Sequence, residues 1–355
     1  MNTTHLQEWQ IETLSLMYLT TLSLSLVGSF SVVCVTIIKR HELNQQVKPL
    51  VQLGLADFLA SALLMATTIL NFLSVEVRSN VLLCELGLPL ALMFYCVSFL
   101  LSILYACEST SASQGWRERT GHEDQSETRR RSSCFSILYA CVWLVPLCAY
   151  VVYAVTISTS MVDLLPVRFP SENSNIAAII PATEYCTSCL LFLHIQGDNC
   201  SDVDPAHDIS VRGTLFASLL SVLIICTVVY CKLSSWSGQY CESVIFPVEG
   251  DSLSRRRLNG AISSAQLIIL VITVCWAPAL LLISLSFVKQ ITQEQLFPLY
   301  MLQTLLVSLH GLLNSVVYAW RRPNFREAVL GEHLPLLSSR PSYRAFFEES
   351  LPTAP

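Results

Sequence analysis

Leu86 to Cys107 reads LGLPLALMFYCVSFLLSILYAC and contains no charged side chain. Cys84-Glu85 precede it and Glu108-Ser109-Thr110 follow it. At about 1.5 Å of rise per residue, a helix of this length crosses the roughly 30 Å hydrocarbon core of a bilayer with some tilt. The stretch is therefore a membrane span, with a cysteine at one mouth and an acid followed by two hydroxyls at the other. Which mouth faces outward is decided by the rest of the chain.

Of the 355 residues, 53% are hydrophobic and only 13% charged, against about 25% charged in an ordinary soluble domain. This is the composition of a polytopic membrane protein, whose first partner is the lipid bilayer. The net charge of −5 is sorted by loop and does not act as one field. Nothing in it supports binding to nucleic acid.

Seven windows are long and apolar enough to span: about Leu14 to Ile38, Pro49 to Leu73, Leu82 to Cys107, Cys134 to Ile157, Val211 to Cys231, Ala261 to Val288 and Leu296 to Trp320. Cys189 to Ile195 is apolar but too short, and reads as a strand or a loop dipping toward the bundle. Of the 21 lysines and arginines, only Arg78, Arg168, Arg212 and Lys289 fall on one side of these spans. The other side holds Lys39, Arg40, the run Arg129-Arg130-Arg131, Lys232, the run Arg255-Arg256-Arg257 and the arginines of the tail. The positive-inside rule makes that side cytoplasmic. Residues 1–13 are then an extracellular N-terminus, 14–320 an all-α seven-transmembrane helix bundle, and 321–355 a cytoplasmic tail. The opening MNTTHLQEWQ has no basic flank, so the first span is expected to act as its own insertion signal, without cleavage.

Most of the 14 cysteines lie inside or at the ends of apolar spans, where they read as small buried hydrophobes. Cys84 and the loop cysteines Cys186, Cys189 and Cys200 instead face the oxidising side, where a bridge can form. Cys84 to Cys189 is the favoured pair, because the apolar Leu190, Leu191, Phe192 and Leu193 after it could turn down into the bundle, leaving Cys186 and Cys200 to pair. Four cysteines allow three connectivities, so Cys186 and Cys200 remain alternatives. Asn2-Thr3-Thr4 and Asn199-Cys200-Ser201 are N-glycan acceptor triplets on the same side.

The chain resembles a rhodopsin-like G-protein-coupled receptor, and the resemblance runs through all seven spans. Leu55-Ala56-Asp57 in the second span is similar to the family's Leu-Ala-x-x-Asp. Cys84 stands where the family has its extracellular cysteine, and Glu108-Ser109-Thr110 where it has Asp/Glu-Arg-Tyr. Trp143 marks the fourth span, Cys275-Trp276-Ala277-Pro278 matches Cys-Trp-x-Pro in the sixth, and Asn314-Ser315-Val316-Val317-Tyr318 resembles Asn-Pro-x-x-Tyr in the seventh. Phe325-Arg326 follow at the spacing of the family's short cytoplasmic surface helix. With Leu336-Leu337 in the tail and a seventh span ending LLNSVVYAW, the closer resemblance is to an orphan group of receptor-like proteins with no established ligand.

Asp57 carries the sharpest physical argument. A carboxylate at mid-membrane costs about 2.5–3.5 kcal/mol even on the lenient insertion scale, so it must face the bundle interior and have partners. The resemblance implies that these are Ser98, Asn314, His310 and Trp276, and that the cluster is a candidate sodium site. It implies no other cofactor and no other metal. His310 stands where the family usually has asparagine. A neutral imidazole there could hydrogen-bond the carboxylate, whereas a protonated one would pair with Asp57 and displace a cation. The resemblance also implies a ligand cavity at Ala91, Leu92 and Tyr95 over Trp276, and a switch made of Trp276, Pro278 and Tyr318, with the sixth span swinging outward about Pro278.

Several residues depart from the family pattern. Ser109 replaces the arginine of the coupling region formed by Glu108, Ser109 and Thr110, and a serine supplies neither its charge nor its fork. Ser315 replaces the proline of the seventh span, Ser29 stands in for the asparagine of the first, and the fifth span has no proline. Ala91 occupies the position where amine receptors carry an aspartate, so an amine ligand is not expected.

On the cytoplasmic side, Arg129-Arg130-Arg131-Ser132-Ser133 reads as headgroup contact and resembles a basophilic kinase site, where phosphate would weaken that contact. Glu332-His333-Leu334-Pro335-Leu336-Leu337 fits the acidic dileucine pattern read by endocytic adaptors, and equally a solvated tail.

An intramembrane zinc hydrolase needs several histidines and acids at one depth, but of the seven histidines only His310 lies in a span, so no enzyme is expected. A transporter would carry several intramembrane charges and repeats, whereas Asp57 is alone at that depth and no repeat is evident. The leading expectation is an orphan receptor-like protein that binds an unknown extracellular ligand, with weak or atypical coupling to a heterotrimeric G protein. The alternative is a non-signalling scaffold or trafficking partner of the same fold. The plasma membrane is the expected residence, with an endosomal membrane second.

Overall fold

A computed structural model of the chain describes residues 8–38, 47–70, 81–118, 125–160, 190–191, 205–242, 252–288 and 293–321. Seven helices account for nearly all of them: α1 (Glu8–Ile38), α2 (Val47–Leu70), α3 (Val81–Glu118), α4 (Gln125–Ser160), α5 (Pro205–Glu242), α6 (Ser252–Ser286) and α7 (Gln293–Arg321). Each contains a window long and apolar enough to cross a membrane, and a backbone in hydrocarbon must satisfy its own hydrogen bonds, which a helix does. The protein is a multi-pass membrane protein with a seven-helix bundle.

The helices run past the apolar windows. α3 continues from Cys107 to Glu118, and α4 begins at Gln125, so most of the polar stretch expected to be a second cytoplasmic loop is helical. No proline lies between Pro89 and Pro146 to stop either helix, and polar side chains outside the hydrocarbon cost a helix little. α5 likewise runs to Glu242 and α6 begins at Ser252, well outside the spans read from hydropathy.

The helices form a ring that closes through α3. α1 packs on α2 and α7, α2 on α3, α5 on α6 and α6 on α7, while α3 also touches α4, α5 and α6. In α3, 61% of the apolar window is buried, against 6% in α4. The third span is therefore the axis of the bundle, and α4 is held mainly by α3. Among the contacts that make that attachment, the Tyr150 hydroxyl donates to the Leu86 carbonyl at 3.3 Å, and Phe94 meets Trp143 edge to face, 6.3 Å between ring centres.

Large apolar side chains such as Val27, Phe30, Val145, Val152 and Ile224 are exposed on the outside of the ring, as a lipid-facing surface requires. The span cysteines divide the same way. Cys226 and Cys275 are buried, but Cys107, Cys134, Cys141, Cys148 and Cys231 are exposed. This corrects the reading of them all as buried hydrophobes: a small apolar thiol is tolerated equally well against lipid.

Leu190 and Leu191 are both buried in the common core. That places this part of the loop between α4 and α5 in the bundle, as a bend and not a strand.

Candidate functional site

α1, α2 and α7 can approach closely because of glycines. A Cβ at Gly311 would lie 2.5 Å from the Ser25 hydroxyl, 2.7 Å from that of Ser29 and 3.4 Å from the Asp57 Cβ, and one at Gly28 would lie 2.8 Å from Leu312. Small hydroxyls fill the seam. The Ser25 and Ser61 hydroxyls are 3.2 Å apart, and the Ser315 hydroxyl donates to the Gly311 carbonyl of its own helix at 2.8 Å. Serine thus does without the bond break that a proline would impose at this position.

Asp57, only 2% exposed, sits where this seam meets α3. Its carboxylate has hydrogen-bond partners on α3 and α7. The Ser98 hydroxyl donates to Oδ1 at 2.5 Å, and the Asn314 amide donates to Oδ2 at 2.9 Å. His310 closes the third side, with Nε2 3.7 Å from Asp57 Oδ1 and 3.2 Å from the Asn314 Nδ2. Asp57, Ser98, His310 and Asn314 are therefore brought together, while Trp276, also expected beside Asp57, lies in the aromatic layer described next. Charge-assisted hydrogen bonds of this kind offset much of the desolvation of a buried carboxylate.

A hard cation takes oxygen ligands, which Asp57 and Ser98 could supply. In this arrangement each carboxylate oxygen accepts one hydrogen bond, Asn314 turns its nitrogen toward the carboxylate, and the third side is an imidazole. Among the described residues, no other group of histidine, cysteine or acidic side chains converges as a metal site.

Directly against this polar cluster lies an aromatic layer. Tyr95 and Phe99, one turn apart on α3, each meet Trp276 of α6 edge to face at 5.1 Å. The same two rings each meet the imidazole of His310 at 5.8 Å. His310 thus belongs to both structures: its Nε2 lies beside the Asp57 carboxylate, and its ring makes edge-to-face contacts with the two rings that hold Trp276. Trp276 is 1% exposed. Of the cavity residues expected, Ala91 and Tyr95 are buried on one face of α3, one turn apart, while Leu92 is only partly buried. Pro278 lies within α6, half-buried.

At the other end of α3, the Tyr139 hydroxyl of α4 donates to Glu108 Oε2 at 2.6 Å. The Ser109 hydroxyl turns back to the Tyr105 carbonyl at 2.8 Å and is buried. The described end of α3 therefore presents an acid engaged by a phenol and a serine engaged by its own helix. Tyr318 is buried nearby, close enough to Asp57 and Tyr139 to interact electrostatically with both. Replacing Tyr139 with phenylalanine keeps the ring and removes only the donor. Its unfolding free energy in detergent micelles is expected to fall by about 1 kcal/mol, the net value of one hydrogen bond at a half-exposed acid. An unchanged value would show that water serves Glu108 equally well.

Sequence reasoning missed Phe99, Tyr139 and Gly311. Phe99 has the signal of lying four residues after Tyr95, on the same helix face. Gly311 adjoins His310 but has no side chain to attract notice. Tyr139 carries no local signal, since only the packing of α4 on α3 brings it to Glu108.

Cys84 and Thr110 stand in α3, at positions whose side chains are not described. Asn2, Cys186, Cys189, Asn199, Cys200, Glu332, Leu336, Leu337 and the expected surface helix after α7 lie outside the described residues. No protein-family model matches the chain, and no curated protein matches it.

Proposed function

We propose that the protein is a receptor-like seven-span membrane protein. It takes an extracellular ligand between the outer halves of its helices and couples weakly or atypically to heterotrimeric G proteins. One juxtaposition supports this reading above the rest: His310 joins the aromatic layer around Trp276 to the buried charge of Asp57. A ligand pressing on Tyr95 or Trp276 would shift the imidazole, and with it the hydrogen bonds that tie α2, α3 and α7 together. The ligand's energy enters only through contacts that differ between the two arrangements of the bundle. The plasma membrane is the residence such a ligand requires, and endosomal membranes would follow from uptake by an adaptor.

Coupling is proposed to be weak because of Ser109. Its side chain is short, buried and bonded to its own helix, so this position offers no cation to a cytoplasmic partner. The same observation favours the second reading, a non-signalling scaffold or trafficking partner with a receptor fold. Basal G-protein activation in cells, measured at matched surface expression, separates the two. Native chain is expected near background and Ser109→Arg several-fold above it, because a long arginine side chain at a span end can reach the aqueous interface. Silence from both would favour the scaffold. Strong basal activity in the native chain would mean that arginine is dispensable here.

A further inference from the structure

A second polar cluster lies where α1 packs on α7, about two helical turns along from Ser25 and His310. Tyr18 of α1 and Tyr300, Gln303 and Thr304 of α7 are each 2% exposed or less. The three α7 residues are spaced to share one helix face. The Gln303 amide donates from Nε2 to the Tyr18 hydroxyl at 3.1 Å, and Thr304 stands beside the same hydroxyl. Tyr300, and Tyr95 of α3, are both close enough to Tyr18 to interact with it electrostatically.

This cluster is not complete in itself. Gln303 Oε1, the Tyr300 hydroxyl and the hydroxyl of Ser15, one turn before Tyr18, are buried with no hydrogen-bond partner among the described residues. Protein interiors pair nearly all such groups, and the hydrocarbon around a span has no water to offer them. Tyr18 and Gln303 each stand nine residues into their apolar windows, which begin at Trp9 and Glu294, about 14 Å along the helix. The cluster is thus well inside the membrane.

The orphaned atoms define what would satisfy them. Gln303 Oε1 can only accept, so it needs a donor, while the Tyr300 hydroxyl has a proton to give and needs an acceptor. Neither a cation nor an anion suits the place. Among the described residues the buried acid is Asp57, already held by Ser98 and Asn314, and the buried arginine is Arg212, on α5. A charge enclosed here without a counter-charge would cost more than its hydrogen bonds offset.

We propose that the α1–α7 cluster binds an uncharged group that both donates and accepts hydrogen bonds, an alcohol or a carboxamide, carried by a membrane lipid or by a water-borne molecule. The proposal rests on the receptor reading, to which it adds the chemistry of the ligand. Tyr95 connects the two, since it lies beside Tyr18 and meets the ring of Trp276.

The test measures equilibrium binding to the full chain in nanodiscs of one zwitterionic phospholipid, against empty nanodiscs. The probes are a tritiated long-chain fatty alcohol and fatty primary amide, with the methyl ester, fatty acid and fatty amine of the same chain length as controls. The alcohol or the amide is expected to bind saturably, and the three controls about tenfold more weakly, the worth of roughly one hydrogen bond. Tyr300→Phe and Gln303→Leu should each weaken the favoured probe by a similar factor and leave the ester unchanged. Tyr300→Phe removes only a hydroxyl that no described residue engages, so this variant is expected to fold even if the other does not. Tritiated butanol and butyramide distinguish the sources: saturable binding of these assigns the site to a water-borne molecule, and binding of the long-chain probes alone assigns it to a lipid. The proposal is overturned if none of the alcohols and amides binds saturably, if the ester binds equally well, or if Tyr300→Phe binds as the native chain does; ordered water alone in the cluster would give these results. The assay reads binding and not G-protein activation, so failure of this site and failure of coupling are told apart.

Discussion

Trp276→Ala is expected to lower the unfolding free energy of the bundle by about 3–5 kcal/mol, as removal of a buried Trp or Phe ring does elsewhere. The indole is 1% exposed and meets the edges of Tyr95 and Phe99, both at 5.1 Å. Deleting it removes two aromatic contacts and opens a cavity beside His310. Rings fixed in a closed layer cannot collapse into that space without losing their geometry to the imidazole. Trp276→Phe keeps an aromatic ring at the site and should cost well under half as much. Unfolding of both variants in detergent micelles, followed by intrinsic fluorescence for the other tryptophans and by circular dichroism, measures the difference. Equal losses in the two variants would mean that bulk alone matters there.

Gly311→Val should cost about 3 kcal/mol, at the upper end of the range for overpacked cores, and reduce the amount of protein reaching the cell surface. The added Cβ alone meets two serine hydroxyls, at 2.5 and 2.7 Å. Ser25 cannot simply turn away, because its hydroxyl is 3.2 Å from that of Ser61, and α7 cannot back off without stretching the Asn314 bond to Asp57. The control is Gly213→Val on α5, where an added Cβ would meet nothing within 4 Å, and where stability should stay within about 0.5 kcal/mol. If both variants behave alike, the close approach of α1 and α7 is not a constraint on the fold.

The spans were legible because hydrocarbon leaves little choice: a run such as Leu86 to Cys107 without a charge can only cross. Asp57 was legible for the opposite reason, since one carboxylate among apolar residues must find partners. Ser98, His310 and Asn314 were located by their place in a motif pattern, and the structure brings all of them to the carboxylate. Hydropathy says where a helix leaves the membrane but not where it ends, which is why α3, α5 and α6 outran their expected spans. It also cannot say which apolar face is turned to lipid. Cys134, Cys141 and Cys148 look no different from Cys226 in sequence, yet the first three are exposed and the last is buried. The link from Tyr139 to Glu108 depends on how α4 leans on α3, which no pattern within either helix encodes.

On the proposed function, the joint at His310 is what would make a receptor of this bundle and not merely a stable assembly of seven spans. A double-mutant cycle between Asp57→Asn and Trp276→Phe measures it directly, with unfolding free energies taken in the same micelles. Distant, independent sites add within about 0.3–0.5 kcal/mol, whereas sites sharing partners deviate by about 0.5–3 kcal/mol. Asp57 and Trp276 are on different helices and share the imidazole and its two clasping rings, so the cycle is expected to show a coupling above about 0.5 kcal/mol, abolished when His310 is replaced by leucine. Simple additivity in the native background, with His310 in place, would contradict the joint and leave the polar cluster and the aromatic layer as separate pieces of packing.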